Sequence, residues 1–380
     1  MNDEHHIATV ISTIWGRPRN TAPRPDDALL DHATPLDGNS PLPRLLDSLV
    51  EASRPPTLHV FIVIGVTHLD LANAAESRVT HLVRPFRRHL RITLVGPSQL
   101  PQWQALARKV GLPPDTFTAT TYAGIRNQQL LLPLLHGADV IVSLNDDKII
   151  RADYFHTLQH TLSAHPALGF TGLYENPNGS VFFPEGPERK NILLDECRIL
   201  NAALHRLLHL EGQWSPTPII FGGNMVFRAS LARHVGFDPA IPRGEDVDYA
   251  INAMIAGYTP YLDKTLRVLH VPVQNATAHP YGRWVEQIRR FAYEREKVRQ
   301  YGDRFPVNLM PYPGRLLRED LERDALAALR TWATPEAIAR WGKPEEVVEQ
   351  AVTRAQELIR DFPLFLERWP RLFEQGTGTD

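Results

Sequence analysis

The chain has 380 residues, 43% hydrophobic and 22% charged, enough apolar material for a core and too much for a disordered or fibrous protein. Lys and Arg number 41 against 43 Asp and Glu, a formal charge of −2, so no global field draws in nucleic acid or an anionic membrane. The longest apolar stretches, around Val60–Val66 and a Leu run broken by Pro133, fall well short of the ~20 residues a bilayer span needs.

In chain order, Ile7–Ile14, Leu58–Ile64, Leu90–Val95 and Asp139–Leu144 read as short strands, rich in Val and Ile and bounded by Gly, Pro or polar residues. Helical patterns lie between them at Leu42–Ala52, Leu100–Val110 and Ile125–Leu135. Further on, Ala152–Ala164 reads as a helix, Gly169–Leu173 as a strand, Glu175–Gly179 as a turn and Arg189–Leu210 as a long helical stretch. Pro216–Phe227 is strand material interrupted by Gly222-Gly223, and Asp246–Ala256 is another helix. From Tyr281 the sequence becomes charged and helix-favouring, with helices expected over Trp284–Gln300, Arg315–Thr331, Pro335–Trp341 and Pro344–Arg360. Alternating strands and helices predict an α/β fold whose mostly parallel sheet is covered by helices on both faces. That domain is expected over residues 1–280, with a helical C-terminal region over 281–380. In the latter, Leu317, Leu321, Ala325 and Ala328 form an amphipathic face that must bury itself against the sheet domain or in a homo-oligomer.

A single cysteine, Cys197, excludes an internal disulfide and a cysteine-based zinc site. The polar start, Met1 to His6, lacks the basic and then apolar pattern of a secretory signal, which makes the cytosol the expected compartment. The short Gly-Thr tail at Gly376–Asp380 is the sole low-complexity segment.

The strongest chemical signal is the run from Asp139 to Lys148, an apolar strand that stops abruptly in Asn145, Asp146 and Asp147. Ligands of open α/β folds bind at the carboxyl edge of the sheet. Adjacent acids there are costly unless solvated or neutralised, and a hard divalent cation carrying phosphates neutralises them well. The plainer reading is a solvated turn opening the next helix. A second acidic segment, Gly244-Glu245-Asp246-Val247-Asp248, starts a predicted helix. The helix dipole alone favours acids in a first turn, and a carboxylate there also suits a general base.

Three smaller segments complete the set. Arg126 and Asn127 open the Leu-rich helix and suit a pyrophosphate and a nucleobase or ribose; helix-capping chemistry plus a surface arginine is the alternative. Gly222-Gly223 permits close backbone approach to a ligand, or marks a bulge. His270, within Val268–Pro272, reads as a buried core histidine or as a metal ligand.

The order of these segments resembles the GT-A glycosyltransferases, in particular the inverting, family-2-like branch of the nucleotide-diphospho-sugar transferases, over about Ile7 to His279. The resemblance implies a GT-A-like sheet and transfer of a sugar from a nucleotide-diphosphate donor to an acceptor hydroxyl, metal-assisted and inverting. It assigns donor binding to Thr13, Arg126, Asn127, Asn145, Asp146 and Gly223. Mg²⁺ or Mn²⁺ on the diphosphate falls to Asp147 and His270. Asp246 becomes the catalytic base, with Glu245 its competitor and Asp248 a distant third.

Two departures stand out. Asn145 replaces the first acid of the family's DxD motif, leaving Asp147 as the principal metal contact and Asp146 for the ribose. No acid follows the second strand at Ile62–Val66, which leaves the base, UDP or GDP, open. The alternatives are a retaining glycosyltransferase and a non-catalytic nucleotide-sugar-binding protein on the same scaffold, the second disfavoured by the retained Glu245-Asp246. A sugar-phosphate nucleotidyltransferase fits less well, since the loop Trp15–Asn20 has one glycine. The P-loop and Rossmann glycine patterns are absent.

Overall fold

The structure is a computed structural model that describes residues 5–271 and 279–374. Residues 1–4 of the polar start, Pro272 and the Gly-Thr tail at 376–380 lie outside the described residues. The strands are β1 (Ile7–Gly16), β2 (Thr34–Pro35), β3 (His59–Val66), β4 (Arg91–Val95), β5 (Val140–Asn145), β6 (Lys148–Ile150), β7 (Gly169–Glu175), β8 (Trp214–Pro216), β9 (Asn224–Arg228) and β10 (Tyr261–His270). They form one sheet in the order β4-β3-β1-β5-β9-β7-β10-β6, with β2 beside β1 and β8 beside β10. Five of the nine pairings are parallel. They include the continuous run β4-β3-β1-β5, whereas β9 and β6 run antiparallel to their neighbours.

The first helices are α1 (Leu42–Glu51), α2 (Ala72–Val83), α3 (Leu100–Lys109), α4 (Tyr122–Leu135), α5 (Tyr154–Ala164), α6 (Glu196–His209), α7 (Ala229–His234) and α8 (Glu245–Ile255). After β10 come α9 (Pro280–Tyr301), α10 (Leu321–Trp332), α11 (Pro335–Trp341), α12 (Pro344–Arg368) and α13 (Arg371–Glu374). Strand alternation sorts the core into two layers. Ile7, Ile11 and Trp15 of β1 face α1, α2 and α5, in one cluster with Leu45, Val79 and Leu158. Ala8 and Val10 face the opposite way, toward Leu130 of α4, Leu231 of α7 and Tyr249 of α8. With both faces buried, β1, β3 and β5 read as nearly continuous apolar runs.

The helical C-terminal region covers its own amphipathic face. Leu317, Leu321, Ala325 and Ala328 are buried with Tyr281, Phe291 and Val347. The end of α12 reaches the sheet, where Phe362, Phe365 and Trp369 join the α4 layer and the Trp369 indole N–H donates to the Ala232 carbonyl at 2.9 Å. That anchoring explains why α12 continues beyond the predicted Arg360 and through Pro363, since tertiary packing overrides local propensity. No described helix is long and apolar enough to cross a membrane.

Several elements differ from expectation. α2 was unforeseen because its only buried residues are Ala75, Val79 and Val83 on an otherwise polar helix. The helix expected from Arg189 begins at Glu196, and the one expected from Arg315 opens as a 3₁₀ turn before α10. β10 is a full ten-residue strand whose register shifts between Leu262 and Arg267, a break that disguises its period.

Candidate active site

β1 is flanked by β3 on one side and β5 on the other, both parallel to it. Chain connections therefore diverge at β1, and the carboxyl ends of β1 and β5 border a topological switch point, where open sheets bind ligands. A cavity of about 70 Å³ opens there. Its lining includes Ser12 and Ile14 of β1, Tyr122 and Arg126 of α4, and Asn145, Asp146 and Asp147. Asp31 and His32, from the loop between β1 and β2, close its rim.

Arg126 ties the site together. Its Nε donates to Glu245 at 3.1 Å, its Nη1 to Gln129 and Ser143 at 3.0 Å each, and its Nη2 to Asn145 at 3.0 Å. Four of its five N–H groups are thus spent on the protein. Asn145 Oδ1 also accepts from the Ser12 hydroxyl at 3.1 Å, so this side chain serves as a neutral acceptor clamping β5 to β1 and α4. The carboxylate that pairs with Arg126 comes from Glu245 instead.

Beyond Asn145 the chain turns sharply. The Asp146 N–H returns to the Ser12 carbonyl at 3.2 Å, while Asp146 Oδ2 is buried without a hydrogen-bond partner among the described residues. Burial, reinforced by the neighbouring Asp147 charge, pushes the Asp146 carboxyl up to about 7. Asp147 has different company. Lys148 Nζ contacts its Oδ1, and His270 Nε2 lies 3.1 Å from its Oδ2. His270 reaches this position because β10 pairs with β6 in a register that sets His270 opposite Lys148. Burial opposes ionisation of Asp147, yet Lys148 and His270 together hold it well below the usual carboxylate range. The Lys148 ammonium is itself buried, and desolvation pulls it down despite Asp147. Its Nζ stands 4.4 Å from the centre of the Tyr174 ring.

The second acidic segment meets the first across the Gly222-Gly223 turn. Gly244 has φ +70°, and a Cβ there would come within 1.6 Å of Arg290 Nη1, so the entry to α8 requires glycine. Asp246 Oδ2 accepts the Gly222 N–H at 3.0 Å and its Oδ1 the Val247 N–H at 2.9 Å. The Gly223 N–H donates to the Tyr174 hydroxyl at 2.5 Å. A Cβ on Gly223 would lie within about 3 Å of Tyr174 Oη, Lys148 Cε and Asn145 Cγ, so this backbone is pressed against the strand end. Of the three acids in the first turn of α8, Glu245 and Asp248 are buried and Asp246 is partly open. Burial and the Asp246 charge raise the Glu245 carboxyl against the pull of Arg126.

The structure brings Arg126, Asn145, Asp146, Asp147, Gly223, Glu245, Asp246 and His270 to one edge of the sheet. It does not bring Asn127. That side chain is fully buried, donating to the Thr116 and Phe237 carbonyls at 3.0 and 2.8 Å and accepting the Phe237 N–H at 2.8 Å. Its donor-binding assignment is therefore corrected to a structural brace, because one residue along a helix turns a side chain by roughly 100°. Thr13 alternates with Ser12 and Ile14, which line the cavity, and its side chain lies by the Asp146 carboxyl, where it works against the rise that burial causes. Tyr174 and Ser12 are site residues that the sequence reading did not assign.

The assignment of Mg²⁺ or Mn²⁺ to Asp147 and His270 meets an obstacle. The two side chains are in contact, but the Lys148 ammonium engages the same carboxylate. Among the described residues no three His, Cys, Asp or Glu are grouped to hold an ion. A dication on Asp147 would have to displace a buried like charge, so the residues as arranged do not fit one.

No protein-family model and no curated protein sequence matches the chain. Among solved structures, similarity extends to the mannosyltransferase PcManGT from Pyrobaculum calidifontis in complex with GDP-Man and Mn²⁺. It has 14% identity over 97% of this chain and 86% of that one, with a TM-score of 0.48. Residues 1–349 of TarS from S. aureus in complex with UDP-GlcNAc give 11% identity over 97% and 90%, with a TM-score of 0.43. A mycobacterial protein gives 11% over 79% and 75%, at 0.42.

Proposed function

We propose that the chain is a glycosyltransferase that moves a sugar from a nucleotide-diphosphate donor to an acceptor hydroxyl with inversion at the anomeric carbon. The observation that carries this reading is the meeting of two acidic segments, about a hundred residues apart in sequence, at one switch point. Asn145–Asp147 lies on one side of the Gly222-Gly223 turn and Asp246 on the other. Residues 1–280 form the catalytic unit in this proposal, and 281–380 buttress it.

Asp246 is the proposed base. An acceptor hydroxyl is a very weak acid, so the carboxylate removes its proton as the new bond forms. Partial exposure and a fixed orientation suit Asp246 to that task, whereas Glu245 is committed to Arg126. The anomeric configuration of the product, read by proton NMR, tests the assignment; a retained anomer rules out this use of Asp246. Donor identity is tested by thermal shift with UDP- and GDP-sugars, where a ligand at a hundredfold excess over Kd adds about 2.7 kcal/mol. A metal-assisted form of the reaction, with Mg²⁺ or Mn²⁺ on Asp147 and His270, requires Lys148 to leave Asp147 first. Loss of turnover in EDTA, restored by Mn²⁺, is the result that would favour it.

A further inference from the structure

We propose that the Lys148 ammonium, steered by Asp147, takes the place of a divalent cation and receives the donor diphosphate directly. The inference rests on the glycosyltransferase reading above and names the group that meets the leaving charge.

Lys148 is 2% exposed, at the foot of the turn that carries Asn145–Asp147. A buried ammonium has three N–H groups to satisfy. Among the described residues Lys148 Nζ has one hydrogen-bond acceptor, Asp147 Oδ1, and the face of the Tyr174 ring. Lys297 shows what a structural buried lysine looks like in this same protein. Its Nζ donates to Asp238, Asp248 and Asn252 at 2.9, 2.7 and 3.0 Å, one acceptor for each N–H. Lys148 falls short of that count beside a cavity that Asp147 lines. Asp147 itself is clamped between Lys148 and His270, which orients the ammonium. The unfilled donors suit phosphate oxygens, for which lysine acts as a compact point charge.

The step balances without a metal. The acceptor oxygen forms its bond to the anomeric carbon as the bond from that carbon to the β-phosphate oxygen breaks. The bonding pair leaves with the nucleoside diphosphate, and the acceptor proton passes to Asp246. The phosphate oxygen gains negative charge, which Lys148 offsets where it develops.

The test uses the full chain and two readouts. Binding of UDP and of GDP is measured by calorimetry in EDTA and in Mn²⁺, and Mn²⁺ binding is measured by the loss of its free EPR signal. For the unaltered chain, the nucleotide that binds is expected to do so equally in EDTA and Mn²⁺, and Mn²⁺ alone is expected not to bind. Lys148→Met should weaken nucleotide binding in EDTA by about tenfold or more, as befits a lost charged hydrogen bond. It should also open Asp147 to Mn²⁺, and that Mn²⁺ binding should vanish in Lys148→Met/Asp147→Asn. Nucleotide binding by the unaltered chain that is lost in EDTA and regained with Mn²⁺ overturns the proposal. So does unchanged binding by Lys148→Met. If neither nucleotide binds under any condition, the glycosyltransferase reading has failed; the EPR arm still decides whether Lys148 excludes the ion. Should Lys148→Met not fold, the comparison of EDTA with Mn²⁺ in the unaltered chain decides alone.

Discussion

Helix α8 carries two acids two residues apart, and the clusters they join are opposites. Asp248 points to the rear, where Lys297 binds it at 2.7 Å and Asn252 donates to it at 2.8 Å. Tyr293 donates to Asp238 at 2.9 Å, and the rings of Tyr293 and Phe362 flank Lys297 at 4.4 and 4.3 Å. Each N–H of Lys297 has its own acceptor there. Asp246 points to the front, where it accepts the Gly222 N–H at 3.0 Å; the adjoining Gly223 backbone is pressed against Lys148, which has one acceptor, and against Asn145, which lines the cavity with Asp146 and its bare oxygen. Two buried lysines record the difference. Burial works against the charge on both, but Asp238 and Asp248 outweigh it at Lys297 and raise that ammonium, whereas Lys148 is left lowered. The saturated cluster is architecture; the unsaturated one is where a ligand has something to add.

The contrast is broken most forcefully by changing one side chain in each of the two clusters that flank α8. Asp246→Asn keeps the shape and removes the base, and the expected loss in kcat is about 10²–10⁴-fold, with donor KM and thermal stability little changed. Such a pattern marks an interaction made only in the transition state. Lys297→Met should do the reverse. Leaving Asp238 and Asp248 buried without a counter-charge is expected to cost about 3–5 kcal/mol of stability, read as a lower denaturant midpoint, while the folded fraction retains its specific activity. Equal kcat losses in the two variants would mean that the rear cluster is part of the catalytic apparatus.

Glu245 sharpens the boundary, because it sits between the two regions and holds Arg126. Glu245→Gln retains an acceptor but removes the charge, and the expected cost is about 1–3 kcal/mol in stability with a kcat loss below about tenfold. A kcat loss as large as that of Asp246→Asn would transfer the role of base to Glu245.

What was legible in the sequence follows the same line. The strand end at Asn145–Asp147 and the start of α8 were readable because composition changes there within two or three residues. Their meeting was inferred from chain order, and the Gly222-Gly223 turn is what makes the contact. Errors arose where direction mattered more than position. Asn127 turns away from Arg126 on the same helix. Tyr174 could not be found from its own neighbourhood, because it joins the site only through the pairing of β7 with β9 and β10. Lys148 was visible as a residue, but its pairing with Asp147 rather than with solvent depends on burial by the Gly223 backbone.

The remaining test probes the rear region at a place where it is not saturated. Glu294 on α9 is fully buried, and neither of its oxygens has a hydrogen-bond partner among the described residues; Arg290 Nε lies 3.7 Å away. Burial pushes this carboxyl up to about 8, with Arg290 pulling it down and Asp248 adding to the rise. In the unfolded chain it titrates at about 4.3. The folded state therefore holds a proton that the unfolded state has already released between those values, and stability falls as pH rises. The contribution is fully present below about pH 4 and lost as the pH climbs through about 8. Glu294→Gln keeps the neutral shape and does not titrate. The difference in Tm between this variant and the unaltered chain should therefore shift in favour of the variant from about pH 5 to about pH 8.5. A difference that stays constant over that range would mean Glu294 is ionised against Arg290 throughout, and the rear of α8 would then be a fully paired charge network with no exception.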